Sequence, residues 1–341
     1  MQKKQSNRRA ALIAVILLIA VAALMLTWSS MANTDYDGDA PAWVYIPQGS
    51  SRQQIADSLT ASLGKAGANA ATIWKFSRTA TEHAHGAYRI EKGTSALAIY
   101  RTISRGYQTP VRLTFNNIRT MPQLAARVAS QLDTDSASFI NAADSLLTAE
   151  GIGKAMHISA FLPDTYEFYW TDTPEKVVTR IHAHQKEFWN PERTLKATDL
   201  GLTPEQVTIL ASIAEEETNN AAERATVGRL YINRFKRGMR LQADPTVKFA
   251  VGDFSLRRIT GRHLAVESPY NTYKVDGLPP GPIRMPDART IDAILNSQPN
   301  NYIYMCARED MSGRHNFTAS AQQHMLNARR YREALNKRGI H

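Results

Sequence analysis

The feature that most constrains this chain is a long uncharged segment close to its N-terminus. Residues 10–28 read AALIAVILLIAVAALMLTW and contain no charged side chain. A helix of about 20 apolar residues is long enough to cross the hydrocarbon core of a bilayer. The segment is therefore predicted to be a single transmembrane helix, with Trp28 at the outer interface.

The residues that flank this segment predict its orientation. Residues 1–9 carry four basic side chains and no acidic one. Because basic flanks remain in the cytoplasm, residues 1–9 are predicted to be a cytoplasmic tail, and the rest of the chain to lie outside the inner membrane. The alternative is a cleaved secretory signal, since Ser30 and Ala32 offer small residues at a suitable spacing. Signal cores usually span only about 7–15 apolar residues, which favours a retained anchor.

The overall charge limits the classes of molecule that this protein is expected to bind. The chain has 41 Lys and Arg residues against 31 Asp and Glu residues, a formal net charge of +10. This balance suits nucleic acid, anionic membranes or acidic polymers. Both interpretations of the N-terminus export most of the chain, which argues against nucleic acid. The single cysteine, Cys306, permits no internal disulfide, so the exported part must rely on its hydrophobic core.

The sequence that follows the uncharged segment predicts a linker and then a small domain. Residues 29–42 are polar and contain glycine and proline, which is typical of a linker. Residues 43–110 alternate strand and helix patterns, with strands near 43–46 and 86–90. This content predicts a small α+β domain.

The remaining residues, 111–341, are predicted to form a larger mixed α+β domain, so the whole chain is assigned to the α+β class. A strand pattern covers 111–115. Helical patterns follow at 121–133, 136–147 and 174–190. Residues 161–168 (FLPDTYEF) are rich in aromatic side chains but interrupted by proline, and we expect them to form a buried loop.

The sharpest chemical signal is a helical stretch that ends in three consecutive glutamates. Thr203 and Gln206 form a predicted capping box, which fixes where the helix starts. At about 100° per residue, Glu217 lies within about 20° of Leu210, in the middle of an apolar stripe.

The other two glutamates point elsewhere on this helix. Glu215 lies about 140° from the stripe and Glu216 about 120° from it on the other side, by the same helical period. Both are therefore predicted to be solvated. Only Glu217 projects where the helix should be buried.

A carboxyl on a buried face is costly to ionise, so its pKa rises and the neutral acid persists toward neutral pH. This property suits a group that protonates the leaving oxygen during glycoside cleavage. The alternative is that the helix ends before Glu217, which is then a surface acid near the unfavourable end of the helix dipole.

Five motifs follow one another in the second half of the chain: FLPDTYEF, ASIAEEET, INRFKRGMRLQADPTV, SPYNTY and GLPPGPI. Together with His315-Asn316-Phe317, which follows a predicted strand at 302–307, they resemble the endolytic murein transglycosylase (YceG-like) family. The resemblance is strongest over residues 160–325. It extends to the small domain, where Gly86-Ala87-Tyr88 and Gly93 fit the LysM-like module of that family, and the single anchor also agrees.

The resemblance implies an activity and a catalytic residue. The last acid of the family's Glu-Lys-Glu-Thr element is catalytic, which corresponds to Glu217 here. The implied reaction is non-hydrolytic cleavage of the β-1,4 bond between N-acetylmuramic acid and N-acetylglucosamine in peptidoglycan glycan strands, giving 1,6-anhydro ends. Such a membrane-anchored enzyme would release nascent strands, with cell-wall synthases as partners. The candidate substrate-binding residues are Gln242, Asp244, Asn271 and Tyr273, each of which could equally be structural.

Two other functions remain open at this stage. One is a muramidase-type hydrolase in which Asp244 positions water, and the other is a non-catalytic peptidoglycan-binding scaffold. No metal or cofactor is expected, because metal-ligand clusters and nucleotide-binding glycine motifs are absent from the sequence.

The chain departs from the family pattern at three places. Glu216 replaces the usual lysine, and its charge is expected to raise the pKa of Glu217 slightly. Asn117 stands where glycine is common, and asparagine tolerates the left-handed backbone expected of that turn. Met325 replaces an asparagine after His324, and no role is assigned to this pair.

Overall fold

The structure is a computed structural model that describes residues 2–256 and 258–339. It divides into two compact units. The first unit comprises Met1–Arg112 with two short later segments, Gln131–Asp133 and Glu167–Asp172, and the second comprises the rest. Helices and short strands are mixed along the chain, so the predicted α+β class is confirmed.

The first unit is built around one two-stranded sheet and the helices packed on it. Its elements are α1 (Gln2–Ala32), β1 (Ala42–Ile46), α2 (Arg52–Phe76), β2 (Gly86–Ile90) and α3 (Ala96–Ser104). β1 and β2 are antiparallel, with Trp43 opposite Arg89 and Tyr45 opposite Ala87. Val44 and Ile46 alternate with the two aromatic residues and are fully buried, so one face of the sheet covers the core.

α1 contains the apolar segment found in the sequence. Its stretch Ala11–Ala32 has a mean hydropathy of 2.8 and is long and apolar enough to cross a membrane. The helix continues four residues past Trp28, so the beginning of the predicted linker, residues 29–42, is helical. Further on, the N–H of Tyr36 donates to the carbonyl of Thr94, and the N–H of Gly93 donates back to Tyr36. These backbone bonds hold part of the predicted linker against the first unit.

α2 begins immediately after Ser51. The hydroxyl of Ser51 accepts from the N–H of Gln54, and the Gln54 side chain accepts from the N–H of Ser51 in a complete capping box. Residues 52–76 form one helix that contains a kink. The kink lies at Gly64, whose φ of 54° is readily adopted only without a side chain.

The described chain after α3 continues through fourteen further helices and strands. In order they are β3 (Val111–Phe115), α4 (Met121–Ala129), α5 (Ser136–Ala149), β4 (Asp164–Phe168), α6 (Pro174–Phe188), α7 (Pro191–Asp199), α8 (Pro204–Glu217), α9 (Arg224–Lys236), α10 (Asp244–Val251), α11 (Gly261–Leu264), α12 (Ala288–Leu295), β5 (Tyr304–Ala307), β6 (His315–Thr318) and α13 (Ala321–Lys337).

The segment 161–168 is not the loop that its proline suggested. β3 and β4 form a two-stranded sheet, and β4 occupies most of this segment. Tyr166 and Phe168 are buried while Glu167 between them is exposed. The prediction was wrong because Pro163 lies just before the strand, where it removes no ladder hydrogen bond. Just after β3, Asn117 has a φ of 51°, which confirms the left-handed turn expected there.

α8 lies at the centre of the hydrophobic core of the second unit. The predicted capping box of Thr203 and Gln206 is present. Every residue from Val207 to Glu215 is buried, because α9 and α12 pack against this helix. α9 and α12 also approach each other closely at Gly228, where an added Cβ would lie 2.4 Å from Ile294.

An antiparallel hairpin and the last helix complete the second unit. β5 pairs with β6, with Met305 opposite Phe317. The strand predicted at 302–307 is therefore present in shorter form. His315-Asn316-Phe317 lies within the second strand of the hairpin rather than after a single strand.

Candidate active site

The candidate active site is a cavity of about 320 Å³ at the C-terminal end of α8. Its polar lining consists of Glu217, Tyr231, Arg234, Gln242, Asp244 and Tyr273. The apolar part of the lining consists of Leu230, Leu241, Ile303 and Met305. The rings of Tyr304 and His324 complete the wall. A mixed cavity of this size, with a few convergent polar groups, is the ordinary form of a ligand site.

Glu217 is the last residue of α8, and its environment favours the neutral acid. Burial raises its pKa from 4.5 to about 7. The hydrogen bond from Tyr231 lowers the pKa, the charge of Asp244 raises it and that of Lys248 lowers it. The charge of Glu216 makes a smaller contribution that raises the pKa, in the direction expected from the sequence.

Tyr231 is the side chain that contacts Glu217 directly. Its hydroxyl donates to Oε1 of Glu217 over 2.6 Å. Burial and the neighbouring carboxylate raise the pKa of Tyr231 well above its usual value, so the phenol keeps its proton and remains a donor. Among the described residues, no side chain or backbone group donates to Oε2 of Glu217. That oxygen is therefore available to a substrate.

A second tyrosine and carboxylate pair lies in the same cavity. The hydroxyl of Tyr273 donates to Oδ1 of Asp244 over 2.6 Å, and burial raises the pKa of Tyr273. Asp244 is the first residue of α10. Pro245 suits this first turn, since the missing N–H is not needed there. The helix start projects the carboxylate of Asp244 into the cavity.

Gln242 occupies the cavity in an unusual backbone conformation. Its φ is 51°, a left-handed value that costs a residue with a side chain about 1–2 kcal/mol. Its N–H donates to the carbonyl of Thr272, and its Oε1 accepts from Nη2 of Arg234 over 2.6 Å. Because arginine can only donate, this bond fixes the amide orientation and leaves Nε2 as the donor for a ligand.

Arg234 is the buried cation that organises this wall. It donates to the carbonyls of Arg240 and Ile303 as well as to Gln242. Among residues 2–256 and 258–339, it forms no ion pair with a carboxylate. Burial lowers its pKa, as expected for a cation removed from water. Arg234 thus ties the segment before α10 to the segment before β5.

Asn271, the fourth predicted binding residue, does not line the cavity. It is completely buried, and its Nδ2 donates to the carbonyls of Leu264 and Val266. Its Oδ1 accepts from the N–H of Tyr273. The structure therefore brings Glu217, Gln242, Asp244 and Tyr273 together, and it places Asn271 beneath them as a support for the loop that carries Tyr273.

The prediction that Glu215 and Glu216 are solvated is wrong. Only 7% of Glu215 is exposed. Arg284 bridges the two acids, with Nη2 at 3.0 Å from Glu215 Oε1 and Nη1 at 2.8 Å from Glu216 Oε1. Arg119 adds a second ion pair to Glu216 at 2.8 Å. Helical period assigned these acids to faces away from the stripe, but α8 is packed on those faces too, and the arginines compensate their charges.

Four residues of the site were not assigned from the sequence. Neither Tyr231 nor Arg234 was assigned a role from the sequence. The spacing of these two residues, three apart on α9, puts them on the same face and was the available signal. Tyr304 and His324 stack at 5.1 Å between ring centroids, with 16° between their planes. No local pattern connects these two, because the contact joins β5 to α13.

The family comparison agrees with this geometry. The sequence profile of the YceG-like family matches residues 44–330, which include every residue of the cavity. This chain belongs to the YceG-like family. The resemblance seen in the motifs is thereby confirmed, and the matched range begins after α1.

Named relatives of this YceG-like protein are transglycosylases. It is 26% identical over 338 residues to the endolytic murein transglycosylase of Bacillus subtilis, covering 94% of this chain and 93% of the relative. It is also 26% identical over 313 residues to the protein of that name from Streptococcus pneumoniae. There it covers 82% of this chain but only 56% of the relative, so the chain spans about half of the pneumococcal protein.

A solved structure supports the fold. The 2.6 Å crystal structure of a putative YceG-like protein from Listeria monocytogenes superimposes with a TM-score of 0.56 at 24% identity. The match covers 85% of this YceG-like chain and 99% of the Listeria chain.

Proposed function

We propose that this YceG-like protein is an endolytic lytic transglycosylase of peptidoglycan. The substrate bond is the β-1,4 linkage between N-acetylmuramic acid and N-acetylglucosamine, and the products are strands with 1,6-anhydromuramic ends. The names of the two relatives support the reaction class. The observation that carries the proposal is the state of Glu217, a carboxyl with a pKa of about 7, one oxygen held by Tyr231 and the other open to the cavity.

The proposed reaction uses Glu217 twice. Its neutral carboxyl first gives a proton to the glycosidic oxygen, and the bond between that oxygen and C1 of the muramoyl residue breaks. The carboxylate then takes the proton of the muramoyl C6 hydroxyl, whose oxygen bonds to C1. Glu217 returns to its protonated form and no water is consumed. A pKa close to neutral suits a group that must act as acid and then as base.

The surrounding groups support both states of Glu217. Between the two steps the carboxylate keeps the hydrogen bond from Tyr231, which is strongest when Glu217 is charged. Nε2 of Gln242 and the free oxygen of Asp244 can orient sugar hydroxyl or acetamido groups. Tyr304 and His324 present a flat stack for a ring face.

A muramidase-type hydrolase is the second candidate, because the carboxylate of Asp244 lines the same cavity. In that reaction Asp244 would hold the attacking water. However, Oδ1 of Asp244 already accepts from Tyr273, and the muramoyl C6 hydroxyl is tethered to the reacting sugar. A well-oriented intramolecular nucleophile can be worth roughly 7–11 kcal/mol of the barrier. This advantage favours the transglycosylase.

The setting proposed for the reaction follows from α1. A helix of this length and composition suits a single-pass anchor in the cytoplasmic membrane, and the basic residues before it favour an N-terminus inside. The catalytic residues would then lie outside the cytoplasm, beside nascent glycan. The release of nascent strands and cooperation with cell-wall synthases remain predictions.

A reporter fused to the C-terminus tests the topology, and it should be protected from cytoplasmic labelling. A soluble form of the protein that starts near residue 33 would favour the cleaved signal.

The decisive experiment is mass spectrometry of the new strand ends. Purified uncrosslinked glycan strands are incubated with the wild-type protein or with Glu217→Gln, and the ends are analysed. We expect 1,6-anhydromuramic ends with the wild type and no cleavage with the variant. Strands O-acetylated at the muramoyl C6 hydroxyl should resist cleavage, because the nucleophile is blocked. Reducing ends from both substrates at equal rates would identify a hydrolase, and equal cleavage by Glu217→Gln would overturn the assignment.

A further inference from the structure

A small recess lies at the C-terminal end of α8, outside the catalytic cavity. Its volume is about 30 Å³, and Arg119, Glu216 and Lys248 supply its charged lining. The rings of Phe249 and Phe254 form part of its wall. Since about 10–15 Å³ suffices to hold one water molecule, the recess can admit a group of a few atoms but no sugar ring.

The recess and the catalytic cavity share two helices. Glu216 and Glu217 are consecutive on α8, and one lines the recess while the other lines the cavity. On α10, Asp244 lines the cavity and Lys248 lines the recess. Residues four apart lie on the same face of a helix, about 6 Å apart along its axis. The charge of Lys248 also lowers the pKa of Glu217, so the recess lies within electrostatic reach of the reacting centre.

Lys248 contributes a cation that has no direct partner. Within residues 2–256 and 258–339, its Nζ forms neither a hydrogen bond nor an ion pair. The residue is half-buried, so its ammonium group has lost part of its hydration. An arriving anion therefore interacts with it more strongly than with a fully solvated lysine, because the local dielectric is lower than that of water.

Arg119 contributes a second cation, and its position is fixed by two contacts. Its Nη2 donates to both carboxylate oxygens of Glu216, at 2.8 and 3.0 Å. Its guanidinium also lies over the ring of Phe254, 4.9 Å from the centroid. Among the described residues, no group accepts from Nη1 of Arg119, which leaves that nitrogen as a donor for a ligand. Because the side chain is already held, binding costs little side-chain entropy.

Glu216, the acidic side chain of the recess, is already compensated. Besides Arg119, its Oε1 accepts from Nη1 of Arg284 over 2.8 Å. Arg284 and Arg224 lie 3.0 and 3.9 Å from the oxygens of Glu215. The two glutamates thus face three arginines, and the charge of Lys248 is in excess. A recess with excess positive charge and room for a few atoms favours a carboxylate over a neutral hydroxyl or acetamido group.

We propose that Lys248 and Arg119 form a subsite for a carboxylate carried by the muramoyl residue whose bond is cleaved. The inference rests on the proposed function for the identity of the glycan. The carboxylate has two sources, because the lactyl group of the muramoyl residue is itself a carboxylate when free and carries an acidic peptide when substituted. N-acetylglucosamine has neither. The subsite therefore distinguishes the two sugars and directs C1 of the muramoyl residue to Glu217.

The test compares substrates that differ only in their carboxylates. Peptide-bearing strands and strands stripped of peptides are each divided, and one half is converted to methylamides with carbodiimide and methylamine. For each protein, kcat/KM on the unmodified strand is divided by kcat/KM on its methylamide. Both substrates meet the same Glu217, so this ratio cancels any effect of a variant on its pKa. We expect a ratio of about ten or more for the wild type and about one for Lys248→Gln.

The type of strand that shows the preference identifies the source of the carboxylate. A ratio above one only on peptide-bearing strands assigns the peptide, and a ratio above one on stripped strands assigns the lactyl group. Lys248→Glu should bring the ratio below one, since it repels the anion. Arg119→Lys keeps a charge beside Glu216 but loses the forked donor, so it should reduce the ratio. An undiminished ratio in Arg119→Lys would remove Arg119 from the subsite.

Lys154→Gln is the matched control. Lys154 lies between α5 and β4, outside the recess and the cavity, and its side chain is 81% exposed. This variant should keep the wild-type ratio at an equal melting temperature. A wild-type ratio of one on both strands, or an equal ratio in Lys248→Gln and wild type, would overturn the subsite. Cleavage that depends on Glu217 would leave the proposed function standing in either case.

A binding measurement decides the subsite without cleavage. Calorimetry follows the same soluble strands as they bind to full-length Glu217→Gln protein in detergent. Methylamidation should lower the affinity by about tenfold. This difference should vanish when Lys248→Gln is added and persist when Lys154→Gln is added. No difference, or one that survives Lys248→Gln, would overturn the subsite, whereas a wild-type protein that cleaves no strand would overturn the proposed function instead.

Discussion

The hydroxyl of Tyr231 lies 2.6 Å from Oε1 of Glu217 and joins the end of α8 to the middle of α9. The bond occupies one carboxylate oxygen and leaves the other facing the cavity. It opposes the effect of burial on the pKa of Glu217, which nevertheless remains near 7. The acid is thus protonated often enough to donate, and its conjugate base has a partner.

Removing this hydrogen bond should shift the pH profile toward higher pH. Tyr231→Phe keeps the ring but removes the donor that lowers the pKa of Glu217, so the alkaline limb of kcat/KM should move above that of the wild type. The rate at the optimum should fall by about tenfold or more, because the carboxylate loses a charge-assisted bond. A pH–rate series on glycan strands measures both effects. An unshifted limb would show that Tyr231 does not set the pKa of the catalytic group.

Replacing Asp244 and replacing Lys248 should move the alkaline limb of the kcat/KM profile in opposite directions. Asp244 raises the pKa of Glu217 and Lys248 lowers it. Asp244→Asn should therefore shift the alkaline limb to lower pH, and Lys248→Gln should shift it to higher pH. The two variants control for each other, since a general loss of structure would not produce opposite shifts. If Asp244→Asn instead abolishes cleavage at every pH, Asp244 is part of the chemistry and the hydrolase gains support.

Replacing Glu217 with a neutral amide should stabilise the protein at neutral pH. The folded state holds the Glu217 proton more tightly than the unfolded chain, so wild-type stability falls as pH rises from 4.5 through about 7. Glu217→Gln has no ionisable group at this position, so its stability does not fall for this reason as the pH rises. Its free energy of unfolding should match the wild type near pH 4 and exceed it by at most about 3 kcal/mol above pH 8. Denaturation at several pH values tests this, and a pH-independent difference would contradict it.

Glu215→Gln is a control variant, because its free energy of unfolding should change in the opposite direction to that of Glu217→Gln. Glu215→Gln removes one charge from a buried network, in which Oε2 also accepts from the N–H of Asp287 and the hydroxyl of Thr290. The positive charge of Arg284 is then compensated by one carboxylate fewer. Stability should fall by about 3 kcal/mol, as when one partner of a buried ion pair is lost. Equal stability of Glu215→Gln and wild type would show that the network contributes little.

The strained position at Gln242 allows chemistry and backbone strain to be separated. Gln242→Ala and Gln242→Gly both remove the amide, so both should lose cleavage to a similar extent. The glycine variant should be the more stable of the two by about 1 kcal/mol, because glycine adopts a φ of 51° without penalty. Chemical denaturation and product analysis measure the two effects. Full activity in either variant would remove Gln242 from the site.

Local rules predicted the elements whose causes lie within a few residues. The uncharged run produced α1, the Thr203–Gln206 capping box fixed the start of α8, and Asn117 accepted the left-handed turn. Helical period also placed Glu217 in line with the apolar stripe of α8. Each of these depends on spacing along one segment, which sequence displays directly.

Predictions failed where a residue's environment is supplied by distant segments. Glu215 and Glu216 were expected in solvent because period describes one helix, not what packs around it. Folding also decides whether a polar side chain is open to a ligand, and here the amide of Asn271 donates to the carbonyls of Leu264 and Val266 in its own loop.

The sequence by itself determined that a capped helix ends in three glutamates, the last of them in line with its apolar stripe, and that an apolar helix precedes the rest of the chain. Only the tertiary structure decided that Tyr231 binds this glutamate and that Gln242 is held by Arg234. It also decided that Tyr304 stacks on His324. The physical reason is that pKa values and binding surfaces depend on distances through space. Packing sets those distances between residues that no local pattern connects.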